Sequence, residues 1–309
     1  MDNNVYVSSG KKILRHLDIL RKFQKEKIIT PISLQIAPTS RCNLNCCFCS
    51  NANRTKHHEN LPIRDILDFI DSLNPLTVEW TGGGDPTLYP DIRKAIYFCR
   101  AKGLRQGFIT NGISLVDKIQ KDIKYLDWIR ISLNSLDYVD EIVIPINYKG
   151  TLGFSYVLNE KTKTETLEKI KLYVKKYNPK YVRIVPNCQT SSEDLKEKNS
   201  YFSKIISTWG APYFYQSKEF DAPKRCWWGW FKPFLLHDGY IYPCSSVVLN
   251  TTSDRSFNKK YRWHTMKSFL DSIKNMVYHY DCKNCDSCVF GEQNALIEAL
   301  INPEMEDFI

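Results

Sequence analysis

Residues 11–27 place Ile13, Leu14, Leu17, Leu20 and Phe23 at helical spacing, with Lys and Arg on the opposite face. The pattern predicts one amphipathic basic helix on the outside of a domain, closed off by Pro31. Past Pro31 the period shortens to two. Residues 32–37 alternate and read as a first strand, 77–81 as a second and 105–110 as a third. Residues 128–132, 152–158 and 181–185 read as the fourth, fifth and sixth. Helical periodicity falls between them, at about 61–73, 91–102, from 115, and at 164–177, with a last helix at 192–208.

Strands that alternate with helices predict an α/β fold of parallel βα units with right-handed crossovers. Six such units predict a partial (β/α)6 barrel rather than a closed eight-unit one. The expected organisation is a basic helix over 1–30, the barrel over 31–210 and a small cysteine-rich domain over 211–309. Ligands of such sheets bind at the carboxyl ends of the strands. The polar motifs fall there: Cys42 onward after the first strand, Gly82-Gly83-Gly84-Asp85 after the second, Thr110-Asn111-Gly112 after the third, Ser132-Leu133-Asn134 after the fourth.

The first of these motifs carries the sharpest chemistry. Cys42, Cys46 and Cys49 stand in the order C-x-x-x-C-x-x-C, with Phe48 before the last and Thr39, Ser40 and Arg41 leading in. Three thiolates on one loop hold three irons of a cubane and leave the fourth iron open for chemistry, whereas a structural metal site is closed by four protein ligands. Cys47 is outside the spacing and reads as a packing residue. The plain alternative for short cysteine spacing is zinc, which usually takes two pairs. A disulfide framework does not fit, because no charged segment followed by an apolar stretch opens the chain and 309 residues suffice for a core.

This stretch resembles the cluster loop of the radical S-adenosylmethionine (radical SAM) superfamily. The resemblance implies a 4Fe–4S cluster on Cys42, Cys46 and Cys49 that binds and reductively splits SAM. It covers about residues 31–208 as an architecture. It assigns Gly82, Gly83 and Gly84 to the methionine amino group of SAM, with Asp85 where the family usually has Glu. Ser132 and Asn134 fall at the ribose and carboxylate positions, and Asn134 replaces a common acidic residue. Ile184 and Val185 fall where adenine packs. From the residues alone the glycines read as a tight turn, Asn134 as a turn residue, and Ile184 and Val185 as barrel core.

A second cysteine group follows: Cys226, then Gly239-Tyr240-Ile241-Tyr242-Pro243-Cys244, then Cys282, Cys285 and Cys288. It resembles the opening of the SPASM and twitch extensions of radical SAM enzymes, which carry auxiliary iron–sulfur clusters. Five cysteines fit one auxiliary cluster, with Cys226, Cys244, Cys282 and Cys285 as ligands and Cys288 spare or substituting. Asp238-Gly239 is expected to make the hairpin turn that joins Cys226 to Cys244. Zinc is the alternative here too. Trp227, Trp228, Trp230 and Phe231 are expected to pack against substrate or to shield the cluster. Cys99 and Cys188 read as core or loop residues, and His57, His58, His237 and His264 show no ligand spacing.

Composition adds less. Hydrophobic residues are 43% and charged residues 25%, ordinary for a soluble protein. No apolar run reaches membrane-spanning length. Eleven cysteines without an export signal predict a cytoplasmic, reducing setting. The net charge of +9 leans toward an anionic partner, or only reflects a Lys-rich composition. The resemblance implies SAM, an electron donor such as flavodoxin or ferredoxin, and a peptide or protein side chain as substrate, modified oxidatively. A nucleotide-type molecule or sugar-type metabolite is the alternative, and a non-enzymatic zinc module that binds nucleic acid is the outside one. About 30 residues before the first strand are too few for a leader-peptide-binding domain. A peptide substrate would then need a separate recognition partner or a short recognition element.

Overall fold

The computed structural model describes residues 6, 10–49, 51, 59–218, 225–246, 260–275, 278–282, 285 and 288–302. His57 and His58 lie outside the described residues. The expected first helix is two pieces, a 3-10 helix over Gly10–His16 and α1 over Leu17–Glu26. The break falls at His16, whose φ of −126° and ψ of 36° are not helical. Ile13, Leu20 and Phe23 are buried. Phe23 meets Trp227 and Phe231 edge-on at 5.7 and 6.1 Å. The helix therefore ties the first residues of the barrel to the tail of the chain.

The strands are β1 (Ser33–Ile36), β2 (Thr77–Trp80), β3 (Arg105–Thr110), β4 (Trp128–Ser132), β5 (Thr151–Leu158), β6 (Tyr181–Pro186) and β7 (Tyr213–Tyr215). Each is parallel to the next. Between them run α2 (Ile63–Leu73), α3 (Ile92–Ala101), α4 (Leu115–Ile119), α5 (Thr164–Tyr177) and α6 (Ser192–Ser207). Five of the six units carry an α-helix, and β4 is followed instead by a 3-10 turn over Leu133–Asp137. The seventh parallel strand was not expected.

The sheet also continues on the other side of β1. β8 (Arg225–Cys226) is followed by α7 (Trp228–Phe231), β9 (Phe234–Leu235), β10 (Tyr240–Tyr242) and β11 (His264–Thr265). β9 lies parallel to β1, and β10 and β11 extend it antiparallel, giving one ten-stranded sheet. The boundary drawn at residue 210 therefore does not separate two sheets. The last elements are α8 (Met266–Asn275), β12 (Tyr280–Asp281) and α9 (Gly291–Ile301). β12 pairs with β8 in a sheet of its own.

Side chains alternate across a strand, so each strand offers one residue set to each face. Leu34, Val78, Trp80, Phe108, Ile131, Phe154, Val182 and Ile184 are fully buried in one core with Ile66, Ala95, Ile96 and Ile170 of the helices. The inner face carries different chemistry. Gln35 is level with Glu79, Arg130 with Ile109, Ser132 with Ser155, and Ser155 with Arg183. The sheet is apolar under its helices and polar inside.

Candidate metal centres and the site between them

The loop after β1 is tied down at its base. Thr39 Oγ1 donates to Asn60 Oδ1 at 2.6 Å, and Ser40 Oγ accepts from Glu59 N at 2.8 Å. Cys42, Cys46 and Cys49 are half-buried, and Cys49 N reaches Cys46 O at 3.1 Å. Cys47 is exposed, which corrects the packing reading. Its backbone N–H donates to Tyr138 Oη at 3.0 Å and its Sγ lies 3.5 Å from Asn159 Oδ1. Neighbouring loops hold the cysteine loop from outside: Gln189 donates to Phe48 O at 3.0 Å and Asn111 Nδ2 to Asn43 Oδ1 at 2.7 Å.

The glycines act by closeness. None of Gly82, Gly83 and Gly84 has a positive φ, so the turn-conformation argument does not apply to them. A Cβ on Gly84 would stand 1.9 Å from the Arg41 carbonyl oxygen, beside the first cluster cysteine. A Cβ on Gly83 would stand 2.6 Å from His237 Cδ2. His237 had no expected role. It is buried, and its Nδ1 lies 2.9 Å from Glu59 Oε2 at the foot of the cysteine loop.

Asp85 is a clamp rather than an open ligand group. It is 3% exposed. Its carboxylate accepts from Thr87 N and Oγ1 at 3.0 and 2.6 Å, Thr110 Oγ1 at 2.9 Å and Asn111 N at 2.7 Å. Burial pushes its pKa above the usual carboxylate value, and those donors pull against the shift. Its own N–H donates to Arg41 O at 2.7 Å.

Two further expectations are corrected. Asn134 is buried and its amide is spent inside the fold, donating to Val157 O at 2.9 Å and accepting from Val157 N at 2.7 Å. Ile184 is on the helix-covered face and fully buried, so it packs the core. Ser132 and Val185 are on the inner face, and Ser132 Oγ lies 3.4 Å from Asn134 Oδ1.

In the tail, Cys226, Cys244, Cys282, Cys285 and Cys288 line one small cavity together with Pro243, Tyr280 and Phe290. The β9–β10 hairpin turns at Gly239, with φ of +83°, and leads to Cys244. Cys226 is delivered otherwise, by β8 pairing with β12, where Tyr280 is level with Cys226. That corrects the expected joining of Cys226 to Cys244 by the hairpin alone. Cys226 sits below the ordinary thiol pKa because Cys282 donates to it, helped by the N–H groups of Gly229 and Trp228. Hydrogen bonds to Cys226 and Cys285 push Cys282 up, and burial pushes Cys244 up. Thiols crowded in this way oppose one another's ionisation, and a bound cationic centre relieves that.

Among the described residues no three Cys, His, Asp or Glu side chains converge as ligands of a single ion. A cubane binds each thiolate to a separate iron, so a shared cavity suits it. The donor sets at both places fit iron–sulfur clusters, which supply one-electron chemistry when bound. The aromatics around the tail are buried. Trp228 stacks on Phe290 at 5.1 Å, and Trp230 Nε1 donates to Tyr278 O at 2.6 Å. Trp228 and Phe231 also line a cavity of about 410 Å³ beside Glu79 and Lys232. Asn294 Oδ1 accepts the N–H groups of both Trp227 and Trp228, at 2.8 and 3.0 Å. Cys99 is core, as expected.

Residues 36–152 match the Radical SAM superfamily. Mycofactocin maturase MftC of Mycobacterium tuberculosis is 29% identical over 109 residues, 35% of this chain and 28% of that protein. An S-adenosylmethionine-dependent nucleotide dehydratase of a Thermoplasmatales archaeon is 30% identical over 107 residues, 34% of this chain and 38% of that protein. These relatives are therefore matched over well under half of their own lengths. A cysteine-type anaerobic sulfatase-maturating enzyme of Clostridium novyi is 23% identical over 82% of this chain and 85% of its own. Among solved structures, Streptococcus suis SuiB bound to precursor peptide SuiA shares the fold. Its TM-score is 0.55 and its identity 17%, over 85% of this chain and 69% of that one. No described helix is long and apolar enough to cross a membrane.

Proposed function

We propose that this protein is a radical SAM enzyme that makes a 5′-deoxyadenosyl radical from SAM and abstracts hydrogen from a peptide or protein side chain, with net oxidation. The observation that carries this reading is the pairing of two cysteine centres on one sheet. Cys42, Cys46 and Cys49 stand at the carboxyl end of β1, and five further cysteines share a cavity beside the strands that extend β1. Three cysteines leave an iron open to the amino and carboxylate groups of SAM. The tail offers enough thiolates to close its cluster, which suits it to take an electron from the substrate radical.

Within this assignment Gly82, Gly83 and Gly84 let the backbone approach SAM, and Ser132 and Val185 face it from the inner wall. Cys226, Cys244, Cys282 and Cys285 hold the second cluster, with Cys288 as the extra thiol. A reduced flavodoxin or ferredoxin supplies the first electron, and the reducing cytoplasm suits the clusters. The names of MftC, the sulfatase-maturating enzyme and SuiB with its precursor peptide support the peptide reading. A nucleotide is the second reading, favoured by the 30% identical nucleotide dehydratase and by the cations on the inner face.

The test is a peptide challenge. Anaerobically reconstituted protein, SAM and reductant are incubated with candidate precursor peptides and, separately, with nucleoside triphosphates. Loss of two hydrogens from a peptide, in step with 5′-deoxyadenosine, is expected. A nucleotide product with no altered peptide would establish the second reading instead.

A further inference from the structure

The inner face holds three cations that the chemistry described so far does not use. Arg130 is third in β4, Arg183 is third in β6, and Lys218 follows β7. Their strands are held in register through β5, where Gly153 is level with Arg130 and Ser155 with Arg183. Gln216 Oε1 accepts from Arg183 Nη1 at 3.1 Å. Asn199 on α6 fixes Lys218 by both backbone groups, at 2.7 and 3.3 Å.

These cations are half-buried, and among the described residues none of them is in an ion pair with a carboxylate. The Nε atoms of both Arg130 and Arg183 are buried and have no hydrogen-bond partner. Arg130 and Arg183 each press on Lys218 as like charges, and among the described residues no carboxylate offsets Arg183 or Lys218. The inner-face carboxylate of Glu79 is already engaged by Lys232 at 2.8 Å. Unpaired buried charge is costly, and a fold that keeps three such groups together is prepared for an anion.

We infer that Arg130, Arg183 and Lys218 form an oxyanion subsite on the inner wall of the barrel, holding a carboxylate or phosphate of the substrate. The inference rests on the radical SAM reading for what the barrel encloses. Arg130 is two residues below Ser132, about 7 Å along the strand from the rim that bears the cysteine loop. An anionic group anchored there leaves the rest of the molecule directed toward the rim. Guanidinium forks suit either oxyanion.

The experiment is calorimetric titration of the cluster-loaded protein, with SAM present, using pyrophosphate in one arm and glutarate in the other. One site per chain is expected for at least one anion, weakened about tenfold or more in Arg130→Gln and in Arg183→Gln. Lys175→Gln, at an exposed position on α5, should leave it unchanged. The tighter arm tells whether the substrate presents phosphate or carboxylate. A thermal melt guards against misfolding: without anion both arginine variants should melt no lower than the parent, because each removes an unpaired charge. Binding of neither anion, binding indifferent to both arginines, or displacement of the anion by SAM would overturn the subsite. So would variants that fold but melt well below the parent. If the parent binds neither anion while 5′-deoxyadenosine still forms, only the subsite fails. The converse result strikes the proposed function alone.

Discussion

Asp85 accepts the backbone N–H of Asn111 at 2.7 Å, and the Asn111 side chain reaches on to Asn43 beside Cys42. One buried carboxylate thus couples the glycine loop after β2, the end of β3 and the cysteine loop. Replacing it with alanine orphans the Thr110 hydroxyl, the Asn111 N–H and the Thr87 N–H together. Asp85→Ala should cost about 2–5 kcal/mol of stability. Chemical denaturation measures this; a cost under about 0.5 kcal/mol would refute the clamp.

Gly84 tests the same junction without touching a charge. Its Cβ would collide with the Arg41 carbonyl, so Gly84→Ala must push the cysteine loop outward. The expected result is loss of SAM cleavage with the tail cluster retained, about half of the parent's iron. Full activity in Gly84→Ala would show that the loop tolerates displacement.

The inner-face cations give a pH signature. Burial lowers the Lys218 ammonium to about 8 and pulls the Arg183 guanidinium downward without discharging it. Each folded-state pKa lies below its unfolded value, so above about pH 8 the unfolded chain binds more protons and stability rises with pH up to the ordinary lysine range. Anion binding runs the opposite way, weakening as Lys218 loses its proton. The charged and titratable groups that act on Lys218 are Arg183, Arg130 and Cys188, and burial raises the Cys188 thiol. Melting the parent and Lys218→Gln across this window should show a smaller rise in the variant. An equal rise in both would remove Lys218 from the account.

The parts of this fold legible in the sequence are those with a long enough pattern. The strands over 77–81, 105–110 and 128–132 alternate cleanly, and the cysteine trio has its own spacing. β7 has three residues and β9 two, too short for any period to declare itself, so the widening of the sheet on both sides was invisible. Asp85 and Asn134 looked like ligand groups because a sequence shows chemistry but not whether the lone pairs are already taken. Arg130 and Arg183 were missed for the opposite reason. In an alternating strand an arginine reads as a solvent-facing residue, and only the sheet's inner wall shows that it is enclosed.

The most direct measurement is paired iron analysis and 5′-deoxyadenosine formation on anaerobic parent protein and on the variant with Cys42, Cys46 and Cys49 all changed to alanine. The account predicts about eight irons in the parent and about four in the variant, one cubane having gone. It also predicts 5′-deoxyadenosine from SAM and dithionite in the parent and none in the variant. Undiminished 5′-deoxyadenosine from the variant, or a colourless parent that holds zinc in place of iron, would contradict it.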